Sequence, residues 1–556
     1  MKIKSLYRIV VWILTIVLFG CSDSWLEEET PQIITTESLY TSLAGFETGI
    51  NGLYGEIRRE RDTHSDIEML GAVFLGGTDN LVCNHGITDG FTGVSWYWGT
   101  INNSLVNTYE VVFSWLYRVI NGANTIINQA ENRGDIKWSG DGSADEENKN
   151  HILAEARAIR AWAYRHLTYG WGDVPLSLVE SSGTTIKTDW ERAPVALVRK
   201  QTISDLLFAE KYIEVEPSMR GRFTKGAIQT YLSELYLVLN KPDSALYWAD
   251  KVINTPEYKL VTARYGVRKD QPGVPVMDMF YEGNENRDQG NTEALWVWQY
   301  SIQTLGGGTS IIRRWHTGRF SDWIINGKRA LRDTYERGGR GRSRESLTKW
   351  AIDLYEPFDD RATNHVLRKY FILNDAKSNA PYPADTPPPG YSFGDTIWLH
   401  WATDITDTHN KILDWPFSRK IEGTDPDNPG GGEQWNDQVR MRLAETYLLK
   451  AEAEYLLGRP DEAANTINII RRRSNASDIT AADVSIDFIL DERSRELVVE
   501  EDRRWTLLRT KKWLERVQKY NKNGGQLITA KDTIFPIPQS VIDANITRPM
   551  VQNPGY

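Results

Sequence analysis

The sequence predicts a mostly α-helical protein: tetratricopeptide-repeat-like helical pairs forming a scaffold, interrupted by a loop-rich stretch with short strands. Three observations predict it. Apolar residues recur at helical spacing in several long segments. Two of those segments share one helix–turn–helix pattern. The residues between them, roughly 261 to 432, are rich in Gly, Pro, Asn and aromatic side chains and contain the strand-like run TEALWVWQYSI.

The chain begins with a leader. Lys2, Lys4 and Arg8 precede an apolar run over 9–19, then Gly20 and Cys21, the layout of a cleaved export signal. The run falls short of the roughly 20 apolar residues that span a bilayer, and the acidic SDSWLEEE closes it off. Only two cysteines occur in 556 residues, Cys21 and Cys83, so disulfides are not what Cys21 is for. Leu18-Phe19-Gly20-Cys21 resembles a bacterial lipobox, which makes Cys21 the lipid attachment point and the remainder a tethered body. More than one acyl chain is needed for stable anchoring, and a lipid-modified cysteine carries that many.

The formal net charge is −10, and loss of the leader's three cations takes the body near −13, which disfavours a nucleic-acid partner, whose phosphates demand a basic face. The 21 Trp and 25 Tyr have two readings, stacking on sugar rings and ordinary core packing. Further along, LVNTYEVVFSWLYRVINGANTIINQA and HILAEARAIRAWAYRHL read as a helical pair around a polar linker. YLSELYLVLNKPDSALYWADKVIN and KAEAEYLLGRPDEAANTINIIRRR each end a first helix at Asn240 or Gly458, where the proline two residues on stops it and permits the next, and open a second helix at Ala245 or Ala463. Units of this kind recur at about 34 residues in tetratricopeptide repeats. These two are so far apart in sequence that they are not expected to form one continuous array. Gly170, Gly172 and Pro175 read as backbone-conformation residues at a helix exit. Arg493, Glu496, Glu500, Arg503 and Arg504, at spacings of three and four, predict a structural ion-pair ladder along a helix.

Several long motifs in order resemble the SusD/RagB family: LEEETP after the cysteine, AEARAIRAWAYRHLTYGWGDVPL, MRLAETYLLKAEAEYLLGRPDEA, ILDERSRELVVEEDRRWTLLRTKKW, and IFPIPQSVIDAN with the terminal QNPGY. The match runs nearly end to end. The resemblance implies a SusD-like fold, with about four packed helical units and loops and short strands over one face. It divides the chain into a signal peptide at 1–20, an N-terminal part at 21–260 and a loop-rich C-terminal part at 261–556. It implies a glycan-binding lipoprotein of the outer membrane, facing the cell exterior, that passes oligosaccharide or polysaccharide to a SusC-like TonB-dependent transporter, with no catalysis and no cofactor. Some family members handle peptides, so a peptide ligand stays open, as does a protein-only helical scaffold.

Sugar hydroxyls call for donor–acceptor side chains and sugar ring faces for exposed aromatics. Two segments combine these. GGTDNLVCNHGITDGFTGVSWYWGT offers Asn80, Trp96 and Trp98, and GGGTSIIRRWHTGRFSDW offers Arg314, Trp315 and Trp323. By resemblance the glycan platform is built from loops in these two regions; Trp96, Trp98, Trp315 and Trp323 are the expected stacking residues, and Asn80 and Arg314 the expected hydroxyl contacts. The arginines between 313 and 344 keep a uronate-containing ligand open. No HExxH, GxSxG, Walker loop or zinc-spaced Cys/His cluster occurs, and carboxylate pairs are too common among 75 acidic residues to indicate a glycosidase. Asp425, Asp427 and Asn428 lack the EF-hand order and read as a turn, with no metal expected.

Overall fold

The computed structural model describes residues 35–556 apart from 66–67, 85–89, 141, 376–382 and 403–411. The leader and Cys21 therefore lie outside the described residues. Among the described residues no helix is long and apolar enough to cross a membrane.

Ten helices carry the scaffold: α1 (Leu43–Arg58), α2 (Asn107–Asn132), α3 (Gly142–Gly170), α4 (Val195–Tyr212), α5 (Lys225–Val238), α6 (Pro242–Ile253), α7 (Leu443–Leu456), α8 (Pro460–Arg473), α9 (Ile486–Leu497) and α10 (Arg503–Arg509). In α2 the buried residues Val112, Trp115, Leu116, Val119, Ile120 and Ala123 recur every three or four positions, so one face is committed to the core. It packs on α3, which packs in turn on α4. From Ile152 onward nearly every residue of α3 is buried, which makes it the central helix. Its exit is as expected: Gly172 follows with φ +70, a conformation that glycine adopts without a Cβ clash.

The two repeated turns are superposable in their bonding. Asn240 (φ 54) and Gly458 (φ 73) occupy the left-handed position. The next amide donates five residues back in both, Lys241 N to Tyr236 O at 2.8 Å and Arg459 N to Glu454 O at 3.0 Å, capping the orphan carbonyls of α5 and α7. One expectation changes. Although α6 and α7 are separated by the whole loop-rich stretch, α6 packs directly on α7, through Ala245, Leu449 and Ala453, with Leu237 of α5 in the same cluster. Small residues at 245 and 453 let the helices approach closely, and the buried hydroxyls of Thr230 and Thr446 meet at 2.8 Å. The array is interrupted in sequence and continuous in space.

The loop-rich stretch contributes β2 to β5, and all the strands are short. β1 (Leu81–Cys83), β2 (Ala294–Trp298), β3 (Glu345–Leu347), β4 (Tyr370–Ile372), β5 (Thr396–Trp398) and β6 (Gln438–Arg442) pair antiparallel as β1–β3, β2–β6 and β4–β5. β2 is the strand read from TEALWVWQYSI, and it is buried along its length. A main core runs from Tyr40 to Met550. A separate satellite core of Phe320, Ile325, Ala330, Leu331, Phe371, Leu373, Ile397, Leu399 and Phe417 lies under β4 and β5.

The charged motif of the C-terminal region is structural, as expected, but it is not a ladder on one helix. Helix α9 stops at Leu497, Val499 turns at φ 61, and α10 begins at Arg503. The partners come from elsewhere. Arg442 on β6 donates to Glu293 at 2.7 Å and to Glu500 at 2.6 Å. It also pairs with Glu496, which Arg473 and Arg361 reach as well. Arg361 bonds Glu492 at 2.8 Å, and Lys420 bonds Glu500 at 2.6 Å. Burial opposes ionisation of Glu492, yet Arg361, Arg495 and Arg471 outweigh it and hold the carboxyl at about 2.

Removing one partner of such a buried pair leaves an uncompensated charge, so Glu492→Gln is expected to cost about 3–5 kcal/mol of stability at neutral pH. A carboxyl depressed by folding stabilises the fold above its unfolded value and ceases to do so as the pH falls through its folded one. The gap between wild type and Glu492→Gln should therefore be full above about pH 4.5 and close as the pH drops towards 2. Denaturant titrations of both proteins across that range check it.

Candidate functional site

The structure brings the two candidate segments together, but through buried groups. β1, from the first segment, pairs with β3, and the short helix Ile312–His316 of the second segment packs on β3. Between them Cys83 Sγ lies 3.5 Å from Glu345 Oε1, Ser95 Oγ donates to Cys83 Sγ at 2.6 Å, and His316 Nδ1 is 3.7 Å from Glu345 Oε2. Burial pushes Glu345 up to about 8 and holds His316 near 3. At neutral pH this pair is uncharged on both sides, so it is a packed polar junction and not an ion pair.

Three of the six expected glycan contacts are corrected by burial. Trp98 is fully enclosed, edge-on to Phe91 and Trp513, and forms one wall of a box around the Arg504 guanidinium, 5.5 Å from its ring. Trp513 and Phe535 complete the box at 4.3 and 4.4 Å. Trp315 is buried beneath the Arg344 guanidinium at 5.2 Å. Asn80 is buried, and its carbonyl accepts from Thr348 N at 2.8 Å. For Asn80 the physical reason is its neighbour Asp79. Its carboxylate takes Arg503 at 2.7 and 2.8 Å and Arg516 at 2.8 Å, which draws all of 71–84 inside.

The other three are accessible. Trp96 is half-buried on the short helix Gly90–Tyr97, edge-to-face with Tyr97. Arg314 is half-buried against Gly432, where any side chain would collide with its guanidinium. Its neighbour Arg313 is buried and donates to the carbonyls of Gly423, Gly431 and Glu433 at 3.0–3.2 Å. That organises the 423–433 loop around a guanidinium, while Asp425 accepts from Asp427 N at 2.9 Å in the turn that was expected.

Trp323 is half-buried on the satellite core and belongs to an aromatic strip that sequence reasoning missed. Tyr370 and Trp398 face each other across the β4–β5 pair, ring centroids 4.9 Å apart. Strand alternation turns Phe371 and Ile397 into the satellite core and leaves Tyr370, Ile372, Thr396 and Trp398 on the outer face. Trp398 is 55% exposed. Alternation continues past β5, with Leu399 buried and His400 outside. The His400 ring stands edge-on to Trp323 at 5.6 Å, and its Nδ1 lies 2.9 Å from Asp414 Oδ2, which fixes the ring orientation. Beside Trp323, the Asp322 carboxylate takes Arg319 and Arg340 at 2.6 and 2.8 Å, with Arg329 at 3.5 Å. Three guanidiniums on one carboxylate leave this end of the strip cationic. The signal in the sequence was the matched alternation of YFI and TIW, too short to register alone.

A profile of the SusD family matches residues 292–556, and a profile described as starch-binding, associating with the outer membrane, matches residues 79–237. The chain is 23% identical over 565 residues to SusD-like protein P2 of Formosa agariphila, covering 99% of each. It is 27% identical to a SusD-like protein of Bacteroides ovatus over 43% of this chain and 40% of that one. Among solved structures, a SusD superfamily protein of Bacteroides vulgatus superposes with a TM-score of 0.67 at 18% identity, covering 93% and 100% of the two chains. A laminarin-binding SusD-like protein does so at 0.65 and 21%, covering 92% and 99%, and surface glycan-binding protein A of Bacteroides uniformis at 0.66 and 17%, covering 91% and 98%. With both profiles in order along it, relatives that align end to end and the same fold throughout, the chain belongs to the SusD/RagB family.

Proposed function

We propose that this protein is a non-catalytic, cell-surface glycan-binding lipoprotein, held to the outer membrane through Cys21, that takes up oligosaccharide or polysaccharide on the Tyr370–Trp398–His400–Trp323 strip. The strip is the observation that carries the reading. Indole and phenol faces pack on the C–H faces of sugar rings, and the polar edges of His400, Thr396 and the Asp322 arginines are the kind of group that bonds hydroxyls. Binding on pre-set rings costs little ordering entropy, which suits a surface that must hold a flexible chain. The laminarin-binding and surface glycan-binding neighbours support the ligand class. Trp96 and Arg314 are further contacts in this reading.

Delivery to a SusC-like TonB-dependent transporter follows in the same proposal. A lipid tether on an acidic leader keeps the body near the membrane and raises its effective concentration at a neighbouring transporter.

Trp398→Ala and Trp323→Ala should each weaken binding to the recognised polysaccharide at least about tenfold, as truncating a hot-spot aromatic does, with stability nearly unchanged for the exposed Trp398. Trp98→Ala should instead cost about 3–5 kcal/mol of stability and leave the affinity of the folded fraction intact. Affinity gels and calorimetry on a panel of neutral and acidic polysaccharides read the first; denaturant melts read the second. Unaltered binding in the double strip variant would overturn the assignment. Cys21→Ala should leave purified binding intact and impair glycan uptake by cells; undiminished uptake would remove the tether from the mechanism.

A further inference from the structure

On the helical side of the molecule, a cleft of about 540 Å³ opens between α2, the segment 175–190 and the short helix Gln539–Ala544. None of its walls belongs to the strip or to the satellite core. Tyr117 and Trp190 supply rings, Ser114 and Asn121 supply polar edges, and Arg118 and Lys187 supply charge. No Asp or Glu is among its walls, against the trend of a chain with net charge −10.

The walls are tied in place. Asn545 accepts from Trp190 N at 2.6 Å and donates to Trp190 O at 3.0 Å, clamping both backbone groups of that residue. Tyr117 Oη donates to Pro175 O at 2.6 Å. Asn121 accepts from Ser181 N at 2.8 Å and donates back to Ser181 O at 3.2 Å. Lys187 Nζ rides 4.7 Å above the Trp190 ring and is 3.9 Å from the exposed Asp189. Arg118 is exposed and pairs with no described residue, in a molecule whose other arginines are largely committed to internal carboxylates.

A volume of this size suits a ligand of a few rings. Clamped aromatics beside an uncommitted guanidinium suit a ring that carries a carboxylate, since Arg presents a planar fork matched to that group. We propose that this cleft is a second saccharide site, selective for carboxylate-bearing sugars such as uronates. It stands on the cleft alone and is separable from the strip.

Calorimetry of the mature protein with trigalacturonate and with a neutral trisaccharide of similar length tests it. Trigalacturonate is expected to bind, to weaken as NaCl screens the exposed charges, and to lose about tenfold in Arg118→Ala, with a larger loss in Arg118→Glu. The neutral trimer should be insensitive to both variants. Arg118 is exposed, so neither variant threatens the fold. Unchanged trigalacturonate affinity in Arg118→Glu overturns the proposal, and so does absence of trigalacturonate binding. Loss of acidic-sugar binding in Trp398→Ala but not in Arg118→Glu places that recognition on the strip, which sinks the cleft and leaves the strip reading standing.

Discussion

Glu496 ties the loop-rich stretch to the helices that follow it. Arginines 361, 442 and 473, from the loop-rich stretch, β6 and α8, converge on its carboxylate from three directions, and Arg442 carries the connection on to Glu293 and Glu500. All of these groups are nearly or wholly removed from water. The described strands pair only two at a time, so backbone ladders do little to fasten the long middle stretch. A guanidinium with five donors in a fixed fork replaces them. The desolvation cost of each charge means that the network stabilises only when complete, so loops and helices are set in position together.

The same device recurs at smaller scale. Arg313 gathers the carbonyls of one loop, Asp79 takes two arginines from the C-terminal helices, and Asp502 joins Arg165 of α3 to Arg440 of β6. Each fixes a segment whose own sequence has weak preference for regular structure.

Legibility in the sequence followed the range of the interaction. The turns at Asn240 and Gly458 were readable because their chemistry is local: a left-handed residue, one amide reaching back, a proline to start again. The packing of α6 on α7 was not, because complementarity of Ala245 and Ala453 across the intervening chain leaves no local mark. Trp98 and Asn80 sit in a glycine-rich run that has the composition of a loop; Asp79, whose partners lie more than 400 positions away, draws Asn80 inside, and the equally distant Trp513 and Arg504 enclose Trp98. The strip was missed for the converse reason. Tyr370 and Trp398 look isolated in the chain and become neighbours only when two three-residue strands pair.

The satellite core has a consequence for how such a molecule diversifies. Trp323 and the β4–β5 pair that carries the other rings of the strip lie over nine apolar side chains that form their own cluster, apart from the one that packs the helices. Substitutions that reshape the recognition surface are absorbed in that small cluster and do not propagate into the scaffold. Selection for a new ligand and selection for a stable body therefore act on different sets of residues, and the first can proceed without endangering the second.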